Sequence, residues 1–377
     1  MKIKDISKIG LGCYALSGAY GKVDVDQYKQ VLRRGFDLGI NFFDTADTYG
    51  ETAERVLGEA LSDVREEVFI STKVGVSKGE KPFLSRDRVI EACKRSLARL
   101  GTEHIDLYLV HFDDPGTPVE ETVGAMEYLQ DQQMITHYGV SHIPTHRIQE
   151  YIKKGKPSFL MFEYSPVARD AQRDLFKLIQ EHDLNSLAFS VTGRGILSGN
   201  ITRQHRFAEG DIRNMDPLFK YARFESALRI SEKMKDVGHK HGMSPVQVAI
   251  AWVLSHPEIT CALTGPSTIE HMEENAASVD FLIPREDLEE IHDFLDMEEE
   301  RTKRDDIKIV ERLLNAPLDR ESGFNDLVYV FETAVNRGWV GEDEIMPMFM
   351  ELFKVREEPK VPLMKEIQYR LREMIFN

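Results

Sequence analysis

Two aspartates and a tyrosine crowd the stretch NFFDTADTYGETAE at residues 41–54, immediately behind a short apolar run. Lys73 stands near the end of a second such run, VFISTKV, and His111 ends a third, IDLYLVH. An acid, a phenol, an amine and an imidazole are the parts from which general acid–base chemistry is assembled. A phenol alone titrates near pH ~10 and is a poor proton donor or base at neutrality. A neighbouring ammonium, itself held by a carboxylate, favours phenolate and is expected to pull that pKa toward the working pH.

These groups need a scaffold that delivers them to one place. Polar residues bunched at the C-terminal ends of short apolar strands are what a parallel barrel presents to a ligand. Read in order, strands are expected at Ile9–Cys13, Asn41–Phe43, Val68–Lys73, Ile105–His111, Thr136–Ser141, Ser158–Glu163, Ser186–Ser190 and Ile259–Thr264. Helical patterns separate most of them, among them Ala53–Leu61, Ser85–Leu100, Val119–Gln130, Thr145–Lys154 and Ala171–His182. Two more, Phe224–His241 and Pro245–Ser255, lie in an insertion before the last strand. Eight strands alternating with helices predict an α/β fold, a closed (β/α)₈ barrel.

The barrel pattern is expected to fill residues 1–298, ending at a charged run, Glu298 to Arg304, read as a linker or solvated helix face. Residues 299–377 are then a C-terminal helical extension. Its apolar residues, Ile307, Val310 and Leu314 through Ile367, Leu371 and Ile375, recur at helical spacing and predict four helices. They form a small docked bundle or, in the sharper reading, a lid or dimerisation arm.

A formal net charge of −16 over 377 residues repels phosphate backbones and anionic lipid, so nucleic acid and membrane surfaces are expected to be no partners. Cys13, Cys93 and Cys261 are odd in number and widely spaced, which argues against a disulfide framework and for a reducing, cytoplasmic setting. No long apolar segment or signal-like N-terminus stands out. His111, Asp113 and Asp114, with Asp44, could suggest a metal, but Lys73 would place an ammonium beside it, so no metal is expected. GLGCYA, at Gly10–Ala15, matches a dinucleotide-binding glycine pattern. The next helix starts only near Asp24, however, whereas that turn needs strand, glycines and helix in immediate succession.

At Phe43-Asp44-Thr45-Ala46 with Tyr49-Gly50 and Glu54, then Ser71-Thr72-Lys73, then Asp106 to His111, the chain resembles the aldo-keto reductase superfamily. The resemblance implies a TIM barrel and hydride transfer between the nicotinamide of NADP(H) and a small-molecule carbonyl or alcohol, with NAD(H) left open. It makes Asp44, Tyr49, Lys73 and His111 the catalytic set. Tyr49 would pass the proton, Lys73 paired with Asp44 would tune it, and His111 would orient the carbonyl oxygen. The implied cofactor contacts are Gly12, Ser141, His142, Phe189, Ser190, Gly265, Ser267, His271, Glu274 and Asn275.

The chain departs from the family pattern at His142 (usually Asn), Met161 (usually Gln), Val191 (usually Pro), Asn200 (usually basic) and His271 (often Arg or Gln). A thioether at Met161 cannot supply an amide's hydrogen bonds. No 2′-phosphate clamp is evident unless Arg194, Arg203, Arg206 or Arg213 folds over the cofactor. An alternative that the superfamily allows is an NADP(H)-binding redox-sensing or scaffolding subunit, as in potassium channel β subunits. A third is redox-neutral epimerisation with a retained cofactor.

Overall fold

Eight of the apolar runs become parallel strands: β1 (Ile9–Gly12), β2 (Phe42–Asp44), β3 (Phe69–Val74), β4 (Ile105–Val110), β5 (Ile135–Ser141), β6 (Phe159–Glu163), β7 (Asn185–Phe189) and β8 (Cys261–Thr264). In this computed structural model, which describes residues 3–50, 52–75, 84–141, 143–318, 322–356 and 358–376, each strand pairs with the next. β8 pairs back to β1 and closes the barrel. The eight strands agree with the sequence expectation, with ends shifted by one or two residues as fraying allows.

The barrel's interior is a plug. Phe42, Phe69, Leu107, Leu109, Phe159, Met161, Leu187 and Leu263 form one buried cluster, with the Phe42 and Phe69 rings stacked 5.4 Å apart. A filled interior leaves chemistry only at the rim. The strand register sets that rim: Asp44 lies opposite Ser71 across β2 and β3, and Lys73 opposite Leu109 across β3 and β4.

The helices between these strands are α1 (Val25–Asp37), α2 (Ala53–Leu61), α3 (Arg86–Leu100), α4 (Val119–Asp131), α5 (Thr145–Lys154) and α6 (Ala171–His182). They are followed by α7 (Tyr221–His241), α8 (Pro245–Leu254) and α9 (Ile269–Ala276). Asp24 caps α1 by accepting the Asp26 and Gln27 amides. β1 leads into a 3₁₀ turn at Cys13–Ser17, so no α-helix opens on the glycines of GLGCYA.

Residues 1–198 and 234–284 form one compact unit, and residues 199–233 with 285–377 form a second. The second unit holds α10 (Arg285–Asn315), α11 (Gly323–Asn336), α12 (Glu342–Phe353) and α13 (Val361–Phe376). Its core joins Val310, Leu314, Leu327, Phe331, Leu352, Ile367 and Leu371. Fully buried Asp306 accepts from the Tyr329 hydroxyl at 2.6 Å and from Arg337 Nε at 2.9 Å.

The division expected at 298/299 falls inside α10, which runs unbroken for 31 residues. The charged run is not merely solvated. Glu298 is buried, taking Arg229 Nη2 at 2.7 Å and Arg301 Nη1 at 3.0 Å. A pattern based on apolar residues misses a contact surface made of paired charges. Ile307, expected on the apolar stripe, is exposed, and Val310 and Leu314 carry it.

α2 and α3 approach closely at Gly58, where a Cβ would lie 2.0 Å from the Leu100 carbonyl oxygen. Gly58→Ala, which would stabilise an isolated helix by about 1 kcal/mol, should instead destabilise the protein by about 1–3 kcal/mol through overpacking. Urea unfolding checks this, and an unchanged midpoint would refute the close approach.

Candidate active site

β2 and the turn after it carry Asp44 and Tyr49, β3 carries Lys73, and His111 follows β4 directly. Adjacent parallel strands of matched register bring the four to the same end of the barrel. Lys73 is fully buried, and its Nζ donates to Asp44 Oδ1 at 2.8 Å, Asp44 Oδ2 at 2.6 Å and the Thr45 carbonyl at 2.7 Å. The Tyr49 hydroxyl lies 3.3 Å from the same nitrogen. Its ring meets that of His111 edge-on at 5.8 Å.

His111 is itself placed by neighbours. Its Nδ1 is 3.3 Å from Thr48 Oγ1, and its ring stacks on Phe112 at 4.3 Å. Tyr14, from the turn after β1, packs edge-on against Tyr49 at 5.0 Å. Buried Glu54 anchors the turn, accepting from Thr72 Oγ1 at 2.7 Å and Arg99 Nε at 2.5 Å.

The electrostatics differ from the sequence expectation in one respect. Tyr49 was expected to be acidified by the ammonium beside it, yet its pKa is raised well above the ordinary phenol value. Burial is the main cause, reinforced by the Asp44 carboxylate. Lys73 has both Asp44 oxygens on it, so its field at the phenol is largely cancelled and desolvation prevails. Burial likewise lifts Asp44, against the opposing pull of Lys73. The resting site therefore holds a protonated phenol.

The residues expected at the cofactor are distributed around the same rim. Gly12 ends β1 and Gly265 follows β8, close enough that a Cβ on Gly265 would be 3.8 Å from the Gly12 carbonyl. Ser141 ends β5 with its hydroxyl buried and lacking a hydrogen-bond partner. Phe189 ends β7, and Ser190 after it takes a left-handed φ of 54°. Non-glycine residues hold that conformation at a cost, and it clusters at functional sites. Ser267 and His271 are exposed and Asn275 buried around α9, whose cap Thr268 accepts the His271 amide. His142 lies outside the described residues.

Met161 is drawn inward, its thioether part of the apolar plug beside Leu109 and Leu187. Each arginine considered as a phosphate clamp has partners within its own unit. Arg194 makes two bonds to Glu163, at 2.6 and 2.9 Å, Arg203 pairs with Glu225 and Arg213 with Asp211, and Arg206 donates to the carbonyls of Arg203 and His205. Asp113 and Asp114 are also engaged. Arg147 holds Asp113, and Asp114 accepts the Leu84 amide and the Thr117 hydroxyl.

Sequence reasoning overlooked the Thr45 carbonyl and the Thr48 hydroxyl as partners of Lys73 and His111. A backbone acceptor has no side-chain signature, and a threonine in a turn reads as a turn former.

The chain belongs to the aldo/keto reductase family, whose sequence model matches residues 8–296. It is 30% identical over 294 residues to the probable aldo-keto reductase 1 of Glycine max, covering 76% of this chain and 85% of the relative. Its fold is similar to that of the glycerol dehydrogenase of Gluconobacter oxydans, with a TM-score of 0.70, 26% identity and coverage of 77% and 91%. It is also similar to an aldo-keto reductase of Klebsiella pneumoniae solved with NADPH, with a TM-score of 0.61, 27% identity and coverage of 76% and 90%.

Removing one partner of the buried Lys73–Asp44 pair should be costly. Lys73→Met alone is expected to lose about 3–5 kcal/mol of stability by stranding a buried carboxylate, and Lys73→Met with Asp44→Asn to recover much of it. A double-mutant cycle by urea unfolding measures this. Additive losses would mean that the two groups do not depend on each other.

Proposed function

We propose that this chain is an NADP(H)-dependent oxidoreductase that interconverts a carbonyl and an alcohol on a small aldehyde, ketone or sugar, with Asp44, Tyr49, Lys73 and His111 as its catalytic set. The observation that carries this reading is the meeting of the Tyr49 hydroxyl with a buried, carboxylate-held ammonium at 3.3 Å, beside an imidazole at the same rim.

The residues present suit a nicotinamide nucleotide in most respects. The unpartnered Ser141 hydroxyl calls for a polar partner, and Phe189 offers a ring at the end of β7. Gly265, Ser267 and the first turn of α9 offer backbone N–H groups and a positive dipole end to a phosphate. Met161 is the exception, since it gives the carboxamide no hydrogen bond. NADPH, when bound, supplies the hydride to the carbonyl carbon; proton handling belongs to the chain.

In reduction, Tyr49 donates its proton to the carbonyl oxygen. His111, steadied by Thr48 and Phe112, hydrogen-bonds that oxygen and fixes its direction toward Tyr49. Lys73, whose Nζ lies 3.3 Å from the Tyr49 hydroxyl, donates a hydrogen bond to the phenolate left behind, and Asp44 and the Thr45 carbonyl hold Lys73 in place. Burial keeps the phenol protonated beforehand, which suits donation rather than abstraction. The reductive direction is thus the one favoured near neutrality.

The free, buried state of Cys13, Cys93 and Cys261 supports a reducing compartment, the cytoplasm. Among the described residues no helix is long and apolar enough to cross a membrane. Met161 also favours a second reading, a redox-sensing or scaffolding subunit that binds NADP(H) and turns it over little. Turnover decides between the two.

NADPH should quench protein fluorescence in a saturable titration and be oxidised with an aldehyde panel. Tyr49→Phe should keep binding within a few-fold while losing about 10²–10⁴-fold in kcat. Binding without turnover in the wild type would sink the enzyme reading in favour of the sensor.

The raised Tyr49 pKa also fixes the pH profiles. Reduction needs the protonated phenol, so kcat/KM for reduction should show no alkaline loss from this group until above pH ~10. Oxidation needs phenolate, so its rate should climb about tenfold per pH unit across the neutral range. A reductive limb falling near pH ~7 would contradict this assignment.

A further inference from the structure

One polar cavity belongs to neither the apolar plug nor the catalytic set. It has a volume of about 100 Å³ and lies between Asp47, at the turn after β2, the end of β3 at Val74 and Gly75, and α3. On α3, Arg88, Ala92, Arg95 and Arg99 follow at i, i+4, i+7 and i+11 and share one face. Ala92 leaves the gap.

The two sides of this cavity bear complementary groups that do not reach each other. Asp47 Oδ1 is buried and has no hydrogen-bond partner. Opposite it, Arg99 commits Nε to Glu54 and Nη2 to Ser96, and Arg95 commits Nη1 to Glu91. A guanidinium has five N–H donors, so both retain spare ones. An occupant must accept from guanidiniums and meet the carboxyl of Asp47.

We propose that this cavity is a binding site for a small tetrahedral oxyanion of the phosphate class, accepting from Arg95 and Arg99 and from the protonated carboxyl of Asp47. Planar donor forks suit such anions. An ionised Asp47 would repel the ligand, so binding takes up a proton. The carboxyl is prepared for this: its pKa is pushed up to about 7, chiefly by burial and by Glu54, against the pull of Arg99, Lys73 and Arg88. The Asp47 amide lies 3.5 Å from the Lys73 carbonyl, so an occupied site braces the turn that carries Asp44 and Tyr49.

The probe is sodium sulfate, a dianion at every pH used, titrated into the full chain against sodium chloride of matched ionic strength. The readout is thermal unfolding. Because a ligand selective for the native state stabilises it saturably, a saturable rise in Tm is expected at pH 6. The apparent affinity should weaken about tenfold per pH unit above about pH 7, since one proton is linked to binding. Asp47→Asn keeps a donor without a charge and should make the affinity independent of pH. Ala92→Leu, which fills the gap, and Arg95→Ala, at an exposed position, should each lose the sulfate increment while titrating normally with NADPH.

Inorganic phosphate at pH 6 should reproduce the sulfate result. An equal increment in Ala92→Leu would place the anion elsewhere, such as the cofactor's phosphate subsite, and overturn the proposal. So would a pH-independent wild-type affinity, or no saturable increment at all, which would leave the cavity to water.

Discussion

The buried contact between Lys73 and Asp44 is the constraint from which the arrangement of the candidate site follows. Withdrawing an ammonium and a carboxylate from water costs several kcal/mol each, and mutual attraction offsets this only when the geometry is good and other polar atoms are satisfied. Here both Asp44 oxygens and the Thr45 carbonyl surround Nζ within 2.8 Å. That requires β2 and β3 to be adjacent, parallel and in a register that sets Asp44 opposite Ser71. A slip of one residue would turn Lys73 to the other face of its strand and strand both charges. The pair thereby fixes the register of the strands that deliver the phenol and, through β4, the imidazole.

The same pair explains why Tyr49 is not acidified. An ammonium bonded to both oxygens of a carboxylate presents little net charge to a third group. What remains is burial, reinforced by Asp44, and both favour the neutral phenol. The burial comes from a small cluster of its own, in which Tyr49 joins Ala46 and Ala53 with Tyr14 and Leu16 packed against them. Met161 has a packing role in the barrel's apolar plug, where the family pattern has an amide.

Much of the barrel was legible because its determinants are local and apolar. Each strand is a short hydrophobic run between turn formers, and the four residues proposed as the catalytic set lie at or just after the ends of such runs. The continuity of α10 through the charged run was not legible, because Glu298 is buried there against Arg229 and Arg301. Paired charges resemble solvated ones in a sequence, and only the partner distinguishes them. The direction of the Tyr49 shift was hidden for a related reason. Proximity to Lys73 could be inferred, but the near-cancellation of its charge and the loss of water depend on three-dimensional burial.

Asp44 and Asp47 show how strongly surroundings decide the behaviour of one residue type. They lie three positions apart, Asp44 at the end of β2 and Asp47 in the turn after it, and burial raises both. Asp44 has an ammonium bonded to both oxygens, which opposes protonation and commits the group to holding Lys73. Asp47 has guanidiniums across a cavity and carboxylate Glu54 nearby, so its proton is held near neutrality with no protein donor to replace it. One aspartate is locked in a pair while the other keeps a vacant coordination direction. The turn can therefore present the Tyr49 phenol on one side and, on the other, face the cavity whose proposed occupancy depends on pH.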